Sequence, residues 1–183
     1  RKELYKKFGK EKLYSDGLVI KTTLDSTIQK KANLSLIEGL IQYEKRLGWN
    51  GLIENTSFDQ FIKNKNEYNK INPFYSKWEV VIVDNVNRTK LEVYNHSSAK
   101  FTINLDNKYN DWLLGEKFNK GDVIYIEKIK NSYVITQEPK VNGAIIILDP
   151  YSGDILGLSG GYSFTKSEFN RATQAMRQPG SAF

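Results

Sequence analysis

Apolar and polar positions first fall into register at GLVIKTTLD, residues 17–25, where Leu18, Ile20, Thr22 and Leu24 share one side and Val19, Lys21 and Thr23 the other. A period of two predicts a half-buried strand over 18–24. The period then lengthens. Ile28, Ala32, Leu36 and Leu40 recur every fourth residue with Ile37, Tyr43 and Leu47 beside them, which predicts an amphipathic helix of about six turns from Thr27 to Leu47. Ser26 and Gln29 stand at capping-box spacing at its start, and Gly48 supplies a stop. From Asn50 to Lys77 the composition turns to Asn and Lys. Within that stretch SFDQFIKNKNEYNKI offers a cap at Ser57 and a weak stripe of Phe58, Phe61, Ile62 and Tyr68, so one short helix is expected inside a connector.

Between Trp78 and Gln137 the short period returns. WEVVIVDNVNRTKLEVYN, AKFTINL and GDVIYIEKIKNSYVITQ are rich in β-branched and aromatic residues and are separated by turn signals. About five strands in roughly 60 residues, with no helical pattern among them, predict a small all-β unit of the OB-like, partly open barrel kind. Further on, VNGAIIILD and DILGLSGG are joined by DPYSG, in which Pro150 and Gly153 suit a turn, so the pair predicts a β-hairpin. Its apolar content exceeds simple alternation, and both faces are expected to be buried in the central sheet of a domain whose remainder lies outside these residues. A loop carrying Tyr162, Phe164 and Phe169 leads to NRATQAMRQPGSAF.

Composition narrows the partners. Lys and Arg outnumber Asp and Glu by 27 to 21, a formal +6, but the excess is spread along the chain and reads as a solvated basic surface. Trp78, Tyr94, Phe101, Trp112 and Tyr133 are candidates for a ligand-stacking platform on an OB-like fold, although aromatics at strand spacing equally build a core. Glu79, Asp84, Glu92, Asp106, Asp111, Glu116, Asp122 and Glu127 interrupt any basic groove there, so no nucleic-acid partner is expected. Cysteine is absent and His96 is the single histidine; no disulfide, metal site or diffusible cofactor is expected. The longest apolar run, AIIIL at 144–148, falls far short of the ~20 residues that span a bilayer. Any membrane anchor is expected outside these residues.

The chemistry gathers at RQPGSAF, residues 177–183. A serine hydroxyl is a poor nucleophile unless a base lies within hydrogen-bond reach, and a helix supplies one at the third residue on, as in the S-x-x-K signature. Pro179 and Gly180 would set a sharp entry to a helix starting at Ser181, whose free amides favour developing negative charge. A serine at such a position also serves as an ordinary helix cap.

The run GAIIILDPYSGDILGLSGGYSFTKSEFNRATQAMRQPGSAF resembles the start of the transpeptidase domain of class A penicillin-binding proteins, bifunctional enzymes that polymerise and cross-link peptidoglycan. YKKFGKEKLYSDGLVIKTTLDSTIQKKANLSLIEGLIQYEKRLGWNG is similar to that family's segment between glycosyltransferase and transpeptidase, notably in GLVIKTTLD, Gln29, Ala32 and YEKRLGWNG. The stretch 78–137 is similar to the OB-like domain that some members insert between them.

The resemblance implies an α+β chain in three parts. Residues 1–77 would be interdomain linker, 78–137 an OB-like β domain, and 138–183 the beginning of the transpeptidase, with the linker strand and long helix packed against its first hairpin. It implies that Ser181 is the acylated nucleophile of a serine-type D,D-transpeptidase whose partners are peptidoglycan stem peptides and β-lactams. The family's base lysine would follow Phe183, and its S-x-N and K-T-G motifs and the glycosyltransferase would lie beyond these residues, so this stretch alone is expected to be inactive. Asn170, Arg171, Arg177 and Gln178 match the family pattern and are assigned to positioning. A regulatory or scaffold protein is expected at 78–137, and the location implied is the periplasmic side of the cytoplasmic membrane. The rival reading is a non-catalytic OB-type module that binds glycan, nucleic acid or a protein.

Overall fold

A computed structural model of the chain describes residues 2–15, 19–71, 77–113 and 115–176. Helix α1 (Lys2–Tyr14) is interrupted at Gly9, and Tyr5, Phe8 and Tyr14 on it are exposed. The strand predicted over 18–24 does not form in its described part: Leu18 lies outside the described residues, and 19–24 join no ladder, leaving Val19, Ile20 and Leu24 exposed. Alternation makes a strand only where a second strand offers its edge. Here the segment touches the later hairpin at two points, Thr23 Oγ1 donating to Ile155 O at 2.7 Å and Asp25 N to Leu156 O at 2.9 Å.

Helix α2 spans Ser26–Leu47, one residue longer than expected. Its cap is Asp25 rather than Ser26: Asp25 Oδ1 accepts from the backbone amides of Thr27 and Ile28, both at 2.8 Å. An ionised carboxylate binds the free amides of a first turn better than a hydroxyl does. Gly48 ends the helix with φ of 104°. The buried face is Ala32, Ile37, Ile41 and, unexpectedly, Glu44.

The connector is more structured than its composition suggests. Strand β1 (Glu54–Asn55) is followed by α3 (Phe58–Lys63), capped by Ser57 as expected, and then by a second helix, α4 (Lys65–Ile71). Strands β2 (Trp78–Asn87), β3 (Lys90–Asn95), β4 (Lys100–Asn104), β5 (Asp122–Ile129) and β6 (Ser132–Thr136) build one antiparallel sheet in the order β1-β5-β2-β3-β4, with β6 also on β5. The sheet does not close into a barrel among the described residues, and the expected OB-like form is not established. No ladder joins β4 to β6; buried Asn110 bridges the gap instead, donating from Nδ2 to Asn104 O (2.7 Å) and Tyr133 O (3.3 Å) while its Oδ1 accepts from Ile135 N (2.9 Å).

Inside the curl lie Val81, Val83, Leu91, Val93, Ile103, Ile124, Ile126 and Ile135, all essentially solvent-free. The outer side of β2 and β5 is covered too. Phe61 and Tyr68, from α3 and α4, pack on Val80, Ile82, Val123 and Tyr125, so the connector from residue 53 to 68 is part of this unit's packing. That double burial explains why WEVVIV and DVIYI run apolar without alternating.

The last elements are β7 (Ile145–Leu148) and β8 (Ile155–Ser159), the predicted hairpin, paired from Ile145↔Ser159 to Leu148↔Ile155. Asp149 shapes its turn: Oδ1 accepts from the amides of Tyr151 (2.8 Å) and Ser152 (3.0 Å), which hold the carboxyl below its usual range. Helix α2 covers one face of the hairpin, as the linker–hairpin packing expectation requires. At Gly157 an added Cβ would meet Ile28 Cγ2 at 3.3 Å and Ala32 Cβ at 3.5 Å; the bare backbone is what lets the helix approach. The opposite face is uncovered among the described residues, and the layer expected over it would come from the rest of a domain. Ile146, Leu148 and Ile155 are 44%, 54% and 43% exposed, because no described layer lies over them.

Candidate functional site

Ser181, with Arg177 and Gln178, lies outside the described residues. What the structure places is the route to it. From β8 the chain turns through Gly160 and Gly161 and then folds back, so that residues 170–174 form a turn stacked on that glycine pair. Arg171 N donates to Gly160 O at 3.0 Å, and Gln174 N donates to Asn170 O at 2.8 Å. Asn170 Oδ1 accepts from Ala172 N at 3.0 Å. At Gly160 an added Cβ would sit 2.2 Å from Asn170 Oδ1 and 2.9 Å from Asn170 Cα, closer than atoms approach. The Arg171 guanidinium lies over the Phe169 ring and donates to Phe169 O at 3.0 Å. Asn170 and Arg171 thus hold this segment in place, consistent with their assignment to positioning.

A cleft of about 360 Å³ runs beneath the turn, lined among others by Gln29, Asn33, Gly160, Tyr162, Phe169 and Asn170. One wall is α2, and Gln29 makes the join. Its Nε2 donates to Leu158 O and its Oε1 accepts from Leu158 N, both at 2.9 Å. A side-chain amide there satisfies the free edge of β8 as a neighbouring strand would. Sequence reasoning gave Gln29 to the helix cap. Its real partner is 129 residues away, a separation that periodicity does not register. Asn142 Oδ1, accepting from Tyr162 N at 2.9 Å, ties the same loop to the approach of β7.

A second polar cluster joins this helix–hairpin part to the sheet. Glu44, 2% exposed, accepts from Asn50 Nδ2 at 2.6 Å and from Val141 N at 3.1 Å. Gln137, fully buried, donates to Gly48 O at 2.9 Å and accepts from Asn50 N at 2.9 Å. The chain enters the sheet unit after Gly48 and leaves it after Gln137, so these side chains fasten entrance to exit. The signal was present in the helix itself. Ile37, Ile41 and Glu44 follow the buried spacing, and a carboxylate at a core position requires partners.

The five candidate stacking aromatics do not assemble into one platform. Phe101 stacks on Tyr133 with centroids 4.4 Å apart, Trp112 packs on Trp49, Trp78 on Tyr125, and Tyr94 meets Phe58 edge-on. They are distributed over both sides of the sheet, mostly as margins of its cores. Two of the acidic residues pair with lysines on the sheet surface. Asp84 takes Lys100 at 3.2 Å and Lys120 at 3.0 Å, Lys100 also reaches Glu92 at 2.9 Å, and these lysines lower the Asp84 carboxyl from its usual range. Among the described residues no group of three or more metal-ligating side chains converges, and no helix is long and apolar enough to cross a membrane.

No protein-family model matches the chain. Penicillin-binding protein 1A of Rickettsia bellii is 36% identical to it over 190 residues, covering 99% of this chain and 23% of the relative. Penicillin-binding protein 1A of Rickettsia prowazekii is 38% identical over 179 residues (94% and 22%), and that of Neisseria flavescens 30% identical over 193 residues (100% and 24%). This chain's homologues over nearly its whole length are penicillin-binding proteins 1A. A crystal structure of penicillin-binding protein 1A from Haemophilus influenzae superposes with a TM-score of 0.67 at 26% identity, over 95% of this chain and 26% of that one. The chain spans about a quarter of the length of the relatives it matches.

Proposed function

We propose that this chain is the part of a bifunctional cell-wall synthase that joins its glycosyltransferase to its D,D-transpeptidase and carries the transpeptidase nucleophile, Ser181. The observation that supports the reading is the near-complete alignment with penicillin-binding proteins 1A, together with a hydrogen-bonded, partly exposed path from α2 through β8 to the 170–174 turn that precedes RQPGSAF in the chain. In this reading Ser181 Oγ attacks the penultimate D-alanyl carbonyl of a donor stem peptide. Its proton passes to the lysine that the family pattern places three residues on, and the Ser181 amide helps to stabilise the oxyanion. Collapse expels the terminal D-alanine, which takes up the proton, and leaves an acyl-serine. An acceptor amine then displaces the serine. A β-lactam enters the same path, its ring opening to form an acyl-enzyme. No step requires a metal or a diffusible cofactor, and the reaction faces the cell-wall compartment on the periplasmic side, held there by an anchor outside these residues.

The sheet unit, 78–137 with the packed connector residues before it, is read as non-catalytic. It holds a hydrophobic core on each side of β2 and β5, and no nucleophile is seen paired with a base among its described residues, so its role is spacing or the docking of a regulatory or scaffold protein. The deciding experiment uses the longer protein that contains this segment. Incubation with a fluorescent β-lactam should label Ser181, identified by peptide mass mapping, and Ser181→Ala should abolish labelling. A label retained in that variant would overturn the reading.

A further inference from the structure

Where the end of α2 meets the sheet unit, a pocket of about 300 Å³ opens between the two. Three of its lining residues are cations, Lys45 and Arg46 from the last turn of α2 and Lys108 from the segment after β4. None of the three forms an ion pair among the described residues. Each lies instead over an aromatic ring, Lys45 over Trp112 at 5.4 Å, Arg46 over Tyr43 at 5.4 Å and Lys108 over Tyr109 at 5.0 Å. A ring face attracts a cation but takes none of its N–H hydrogen bonds, so those donors remain unspent. Where lysines do find acids, the contacts are short and direct, Lys100 and Lys120 with Asp84 and Lys166 with Glu138.

Trp112 adds a fourth donor. Its indole N–H is buried and has no acceptor among the described residues, a rare and costly state for a buried polar atom unless something else satisfies it. Lys45 is likewise desolvated: burial lowers its ammonium from the ordinary lysine range, and Glu127 offsets this only in part. Asp111 is the single acid in the lining. Lys45 and Arg46 also oppose the negative end of the α2 dipole, but Gln137 and Gly48 already occupy carbonyls of that end, and the dipole does not explain Lys108 or the Trp112 N–H.

We propose that this pocket binds a small oxyanion, a carboxylate or a phosphate group, cradled by Lys45, Arg46, Lys108 and the Trp112 indole N–H. An anion there would convert four idle donors into charge-assisted hydrogen bonds. Because its walls come from both parts, it would also brace the sheet unit against α2. The inference stands apart from the transpeptidase reading, since it involves neither Ser181 nor the cleft under the 170–174 turn.

The test follows the Trp112 indole cross-peak in ¹H–¹⁵N spectra of the 183-residue chain, with the Trp49 and Trp78 indoles as controls for folding. Inorganic phosphate and N-acetylglutamate are titrated separately against sodium chloride at matched ionic strength. A saturable shift of the Trp112 peak with phosphate alone, with the carboxylate alone or with both is the expected result, and names the anion the site takes. Lys45→Met, which keeps the aliphatic stem over Trp112, should weaken that binding about tenfold or more, the effect of one lost charge-assisted hydrogen bond. Lys108→Gln, on an exposed side chain that cannot be needed for folding, should weaken it in the same direction. If neither anion moves the peak beyond the chloride control, or if Lys108→Gln and Lys45→Met bind as the parent chain does, the proposal is overturned.

Discussion

Replacing Glu44 probes whether the entrance and exit of the sheet unit are fastened by hydrogen bonds or merely happen to be adjacent. Its carboxylate is buried, receives Asn50 Nδ2 and Val141 N, and has no cation in ion-pair range among the described residues. In Glu44→Ala both donors lose their acceptor in a place water does not reach. An orphaned buried donor costs ~1–3 kcal/mol, and because the two share one site the total expected is about 3 kcal/mol rather than a full sum. Glu44→Gln should behave differently for a specific reason. Asn50 Oδ1 is buried with no partner among the described residues, so a flip of the Asn50 amide would let it accept from the new Gln Nε2 while the Gln Oε1 still accepts from Val141 N. The cost is then the loss of charge assistance and one displaced donor, ~1 kcal/mol. Urea unfolding followed by tryptophan fluorescence gives both numbers, provided the m-values agree with the parent. Equal destabilisation by the two substitutions, or a Glu44→Ala effect inside ±0.5 kcal/mol, the usual range for surface changes, would refute the account.

Three further outcomes are expected. Gln29→Ala should destabilise by ~1–2 kcal/mol and speed amide hydrogen exchange at Leu158, whose N–H and C=O both depend on that side chain; unchanged exchange at Leu158 would count against the edge-satisfying role. Gly160→Ala should displace the 170–174 turn, since the new methyl would overlap Asn170, and in the longer protein β-lactam acylation should slow while Gly39→Ala, at an exposed helical position with open space around it, leaves it unchanged. His96 stacks against the Phe61 ring at 4.1 Å and near Tyr68, with both nitrogens buried and without a hydrogen-bond partner among the described residues, and burial, then Lys65, lowers its pKa. A lowered folded-state pKa means the unfolded chain takes the proton first. The contribution is therefore complete above the ordinary imidazole value of ~6.5 and declines as pH falls below it toward the folded value. Unfolding free energies measured at pH 7.5 and 5.5 should show a decrease that His96→Phe removes, and an identical decrease in that variant would locate the effect elsewhere.

Much of the secondary structure was legible from local pattern, because α2 and the hairpin each carry their own periodicity, stop and turn residues, and Ser57 caps α3 by chemistry within one turn. The strand over 18–24 failed for the opposite reason. Alternation is a local property, and a ladder needs an edge supplied from elsewhere. The connector was underestimated because Phe61 and Tyr68 read as a weak stripe in an Asn- and Lys-rich stretch, and only their burial against β2 and β5 shows what they are for. Of the candidate site, RQPGSAF and its flanking Asn170 and Arg171 were visible as a motif, since nucleophile chemistry imposes residue types at fixed spacing. The partnerships that aim that segment were not.

Sequence by itself determined the kinds of elements, their order and the family to which they point, because hydrophobic period, capping chemistry and motif spacing all act over a few residues. Tertiary structure alone decided that Gln29 completes β8 across 129 positions, that Glu44 meets Val141 across 97, and that Asn110 rather than a ladder spans the gap between β4 and β6. Such pairings are set by which faces can be buried together, and a buried polar group then takes whatever partner that packing delivers.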